Sequence, residues 1–151
     1  PFGPCTLSTT GASLYTVEFK GMDGFGMPQL LVQSDGANNY YPSFSPDGRF
    51  VAYNKAAGDS YDAKDAQVWV VPAKGGTPIN LASVNDIVGN SWPKWSPFVH
   101  RFGSSSILWL TYSSRRTYGL HGSTTAQIWM VPVEMSVKAM PADSEVPSWW
   151  R

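Results

Sequence analysis

The stretch Tyr41-Pro42-Ser43-Phe44-Ser45-Pro46-Asp47-Gly48-Arg49-Phe50-Val51-Ala52-Tyr53-Asn54 decides the fold. An aromatic-bearing strand runs into Ser-Pro-Asp-Gly, and an apolar strand runs out of it. Pro46 presets φ at the second turn position, Asp47 bonds nearby backbone amides, and Gly48 takes the positive φ that closes a hairpin.

Outward from this hairpin, the same elements return in the same order. Ser13-Leu14-Tyr15-Thr16-Val17-Glu18-Phe19 aligns with Gln67-Val68-Trp69-Val70-Val71-Pro72 and with Gln127-Ile128-Trp129-Met130-Val131-Pro132. The Pro-aromatic element returns as Trp92-Pro93-Lys94-Trp95-Ser96-Pro97 and as Val146-Pro147-Ser148-Trp149-Trp150. The apolar strand Phe50–Asn54 returns as Leu108-Trp109-Leu110-Thr111-Tyr112-Ser113. A period of ~50–60 residues is that of one four-stranded propeller blade with its loops.

Each element reads as a strand on its own chemistry. Val68–Val71 and Ile128–Val131 are β-branched and aromatic runs, continuous enough in apolarity to predict burial on both faces. Ala73-Lys74-Gly75-Gly76-Thr77-Pro78 is a second turn, reversing the chain before Ile79-Asn80-Leu81. In the second copy Phe98–Gly103 replaces the tight hairpin and predicts a longer loop. A helical pattern free of Gly and Pro survives only around Val133–Met140.

Composition narrows the function classes. In 151 residues, eleven Lys+Arg balance eleven Asp+Glu, which removes the positive field that nucleic acids and anionic membranes attract. With 42% hydrophobic and 14% aromatic residues the chain is not disordered by composition, and its apolar runs are too short to insert in a membrane as helices. A single cysteine, Cys5, excludes an internal disulfide and any cysteine-built zinc site. Opening on Pro1 and closing on Trp149-Trp150-Arg151, the sequence reads as an excerpt of something longer.

On these motifs the chain resembles the TolB-like β-propeller repeats. Pro42-Ser43-Phe44-Ser45-Pro46-Asp47-Gly48 fits their hairpin signature, and Asp65-Ala66-Gln67-Val68-Trp69 with Gly75-Gly76 and Asn80-Leu81 fits the rest. The second copy departs from it after Pro97, and the third keeps only Pro147 and Trp149. The resemblance implies an all-β fold of about two complete four-stranded blades plus flanking strands, over residues 13–151, with residues 1–12 as an N-terminal extension. It also implies a bacterial periplasmic or extracellular setting. Propellers close with about four to eight blades, so the remaining blades are expected elsewhere in a longer chain or in another subunit. The expected function is a non-catalytic binding or scaffold module that holds a protein partner. The alternatives are the accessory propeller of a peptidase-like enzyme, or a structural subunit completed by another chain.

Candidate sites are few. Asp59, Asp62 and Asp65 recur at three-residue steps and offer calcium several carboxylates from one loop, although Lys64 interrupts them and no closing Glu follows. Arg115 and Arg116, after an apolar strand, would suit an anionic edge of a partner, or else cover apolar surface and pair with a nearby Asp. Trp149 and Trp150 are candidate partner contacts, whereas most tryptophans are expected to pack between blades. His100 and His121 read as loop residues without a ligand partner at fixed spacing. Gly103-Ser104-Ser105-Ser106 lacks the last glycine of a nucleophile elbow. No catalytic residue, cofactor or nucleic-acid partner is expected.

Overall fold

The computed structural model describes residues 11–58, 63–87, 89–103, 105–117 and 125–135. The strands are β1 (Leu14–Thr16), β2 (Gln29–Val32), β3 (Asn38–Phe44), β4 (Phe50–Ala56), β5 (Gln67–Pro72), β6 (Ile79–Asn80), β7 (Ser91–Phe102), β8 (Ser105–Ser114) and β9 (Gln127–Met135). They form three antiparallel sheets in which every strand pairs with its neighbour in sequence: β1-β2, β3-β4-β5-β6 and β7-β8-β9. The protein is all-β; one 3-10 turn at Gly21–Asp23 is the only helical piece among the described residues. One complete four-stranded unit is therefore described, and the third sheet shows three strands within those residues.

The β3–β4 hairpin is held by its own side chains. Ser45 N–H donates to the Phe50 carbonyl (2.9 Å), and Phe50 N–H donates back to Ser45 Oγ (3.0 Å). Gly48 sits at φ 70°, where a Cβ would be strained, and its N–H donates to the Ser45 carbonyl. Asp47 Oδ1 accepts from the Ser45 hydroxyl (2.6 Å) and Arg49 N–H (3.1 Å), while Oδ2 takes Arg49 Nε (2.7 Å). Partial burial opposes ionisation of Asp47, but these donors outweigh it and hold its carboxyl below the usual range.

Two expectations need correction in the second copy. Phe98–Phe102 are strand rather than loop: β7 runs on, pairing His100 with Ile107 and Phe102 with Ser105, and the chain reverses after Gly103 (φ 60°). An irregularity between Trp95 and Val99 takes up Ser96-Pro97, since a bulge tolerates a proline that a regular ladder would reject. His100 thus lies exposed on a strand, not in a loop. Likewise Val133–Met135 extend β9 instead of opening a helix, because Leu108 pairs with Val133 and Ser106 with Met135.

The middle sheet is the centre of the molecule. Phe50, Ala52, Val68 and Val70 pack on one side with Trp95, Leu108, Leu110, Tyr112, Trp129, Val131 and Val133 of the third sheet. The alternate residues Val51, Tyr53 and Val71 pack on the other side with Leu14 and Val32 of the first. Burial on both faces therefore holds for β5. It fails for β9 within the described residues: Trp129, Val131 and Val133 are buried, whereas Ile128 is 80% and Met130 40% exposed. No described sheet lies beyond that face.

Candidate functional site

The sequence repeat returns as a repeat of geometry. Asn39 N–H donates to the Ala12 carbonyl (3.0 Å), and Asn90 N–H to the Ala66 carbonyl (2.9 Å). Each bond ties the start of β3 or β7 to a residue one or two positions ahead of a strand of the preceding sheet, β1 or β5. Two residues on, Tyr41 and Trp92 both adopt left-handed backbone, at φ 51° and 57°. Each lies in a register shift, between Tyr40 and Ser43 in β3 and between Ser91 and Lys94 in β7. Bulky residues avoid this region at a cost on the order of 1–3 kcal/mol. The bulge before each proline imposes it twice.

The bulges bring the two aromatic rings together. Tyr41 and Trp92 lie 4.4 Å apart between ring centroids, tilted by 31°, and Tyr40 meets Tyr41 edge-on at 4.9 Å. Trp92 remains 49% exposed. Behind it, buried Asn54 accepts from Trp92 N–H (2.9 Å) and Ser91 Oγ (3.3 Å), and donates to the carbonyls of Asn90 (2.8 Å) and Gln67 (3.0 Å). One amide thus locks the start of β7 to β4 and β5. The result is a rigid, solvent-facing aromatic step at one end of the first strands, suited to contact with an apolar or ring-bearing group.

A second repeated device surrounds the tryptophans of the third strands. Lys55 Nζ lies 5.0 Å from the Trp69 ring and pairs with Asp35; the Arg116 guanidinium lies 5.1 Å from Trp129 and pairs with Asp86 at 2.9 Å. Asp35 and Asp86 each stand four residues before the clamping asparagine. Lys55 and the Ala37 amide hold the exposed Asp35 carboxyl below its usual range. Tyr53 and Tyr112, cross-strand partners of Trp69 and Trp129, have their phenols pushed up by burial.

The sequence candidates fall unevenly on this frame. Arg116 also donates to the Val84 carbonyl (2.6 Å) and lies over Tyr112, so its guanidinium serves internal packing, while Arg115 is exposed. Asp65 accepts Ala57 N–H (2.7 Å) and closes the β4–β5 loop. Asp59, Asp62, His121, Trp149 and Trp150 lie outside the described residues. Among the described residues no group of three His, Cys, Asp or Glu side chains could hold a metal ion. None of the described helical structure is long and apolar enough to cross a membrane. The Tyr41–Trp92 step was missed; the recurring aromatic-Pro pair was its signal, but residue preference gives no hint of left-handed Tyr and Trp.

No protein-family model matches the chain, and no curated protein sequence matches it.

Proposed function

We propose that this chain is part of a TolB-like β-propeller and acts as a non-catalytic binding or scaffold module of a bacterial envelope or secreted protein, holding a protein partner through one end of its blades. The observation that carries the reading is the Tyr41–Trp92 pair. Equivalent residues of successive repeats are held in strained backbone, stack on each other, and leave Trp92 half in solvent. Strain kept in two repeats at an exposed aromatic step is the pattern of a preorganised contact surface. Three sheets stacked in chain order, with the clamp from Asn to Ala repeated between them, support the propeller arrangement.

The test is site-specific photocrosslinking. A photoreactive residue at position 92 should join the protein to one discrete partner in envelope extract. The same residue at Lys74, in an exposed turn on another part of the middle sheet, should not. Equal capture at both positions, or none at 92, overturns the reading.

A further inference from the structure

On the outer face of the third sheet, beside polar Lys94, Thr111 and Ser113, β9 carries an apolar strip that the described residues leave exposed. Ile128, Met130 and Pro132 of β9 stand on it across from Ser113, Thr111 and Trp109 of β8. Their equivalents in the middle sheet are Val68, Val70 and Pro72, and both valines are fully buried. What covers Val68 and Val70 is the next sheet, whose first strand β7 places the buried Trp95 in the same cluster. Trp95 is the aromatic of Trp92-Pro93-Lys94-Trp95. A later copy of that element, Val146-Pro147-Ser148-Trp149, follows β9 as Trp92–Trp95 follows β5.

We infer that the segment Val146–Trp150 docks on the outer face of β7-β8-β9, with Trp149 over Ile128 and Met130 as Trp95 is over Val68 and Val70. The inference deepens the repeat reading proposed above and names the occupant of one face. Reach permits it. From Pro132 to Trp149 an extended chain covers up to ~56 Å at ~3.3 Å per residue, whereas a three-stranded sheet is only ~15 Å across at ~4.8 Å per strand. Chemistry favours it as well. An indole fills the space over an Ile-Met pair and removes from water the large apolar side chains that a monomer otherwise leaves exposed.

Hydroxyl-radical footprinting of the full chain tests this, with Met22 (105% exposed) and Met27 (84%) as internal references. After correction for the exposure of each side chain, Ile128 and Met130 should be modified at least about fivefold more slowly than these references, as expected of covered groups. Trp149→Ala should restore their reactivity while circular dichroism stays unchanged, and Trp149→Phe should retain the protection. Met130 reacting like the references overturns the inference, as does protection that Trp149→Ala leaves intact. Protection lost on dilution together with a dimer mass assigns the face to a second copy instead. Closure into a whole propeller is read from particle composition, so a failure there leaves this footprint to be judged separately.

Discussion

Asn54 shows how one buried amide can join two sheets. Its side chain makes four hydrogen bonds, three of them to the Asn90–Trp92 segment. Asn54→Ala leaves the Gln67 and Asn90 carbonyls and the Trp92 N–H without that partner, and should cost about 2–4 kcal/mol in urea unfolding. The two tryptophans of the second repeat should behave oppositely. Trp95→Ala removes a 9%-exposed indole from the core and should cost about 3–5 kcal/mol. Trp92→Gly loses a ring stack worth about 1 kcal/mol but relieves a comparable backbone strain, and should be close to neutral. A partner-binding assay would nonetheless lose signal with Trp92→Gly. On the proposed function, stability and binding should therefore separate at these two indoles.

At the scale of elements, the β3–β4 hairpin carries a pH signature. Asp47 has its carboxyl depressed in the fold, so its contribution is present above the ordinary value of 3.8 and disappears as pH falls through the lower folded value. Asp47→Asn should therefore lose about 1–2 kcal/mol at neutral pH, and the gap to the parent should close in acid. Urea titrations at pH 7 and pH 3 check this. Arg116 gives a second element-scale outcome. Its guanidinium lies over Tyr112 and Trp129 while donating to Val84 and Asp86. Arg116→Lys should cost about 1 kcal/mol and Arg116→Ala about 2 kcal/mol, measured by thermal unfolding. Sequence reading located this hairpin and the strand cores of β4, β5, β8 and β9, because turn chemistry and β-branched runs are local signals. It missed the length of β7, where Pro97 and His100-Arg101 imitate a loop and only pairing with β8 shows a strand. For Arg116 the sequence offered the right role among its alternatives, covering apolar surface and pairing with an Asp, but not the partner: contact with Asp86 depends on two sheets meeting, which no local window contains.

At the scale of the whole molecule, the stack of described sheets has two end faces, and the first is the one beyond β1-β2. Tyr15 and Leu30 pair across those strands and are 60% and 49% exposed, with Phe25 and Met27 nearby in sequence and also exposed. The 151-residue chain alone should self-associate through this face. Tyr15→Lys with Leu30→Lys should shift it toward the 16.5 kDa monomer in light scattering after size exclusion. Phe44 follows the same logic. It occupies the position of Trp95 in the repeat but is 58% exposed; among the described residues the sheet before it has two strands, where the sheet before Trp95 has four. Aromatic spacing alone could not separate these fates, since burial here depends on the neighbour and not on the residue.

The middle sheet, apolar on both sides, raises a problem of alignment. In a sheet with one wet face, sliding a strand by a single residue turns its oily side outward, and that penalty guards the register. Sliding β5 by one residue would exchange Val68 and Val70 for Trp69 and Val71, one apolar set for another. Hydrophobicity barely objects to the slip. The polar fixtures must hold the alignment: Asn54 against the Gln67 carbonyl, and Asn85, whose amide grips both N–H and C=O of Val68 at 2.9 and 2.8 Å. In this protein the asparagines keep the strands in step.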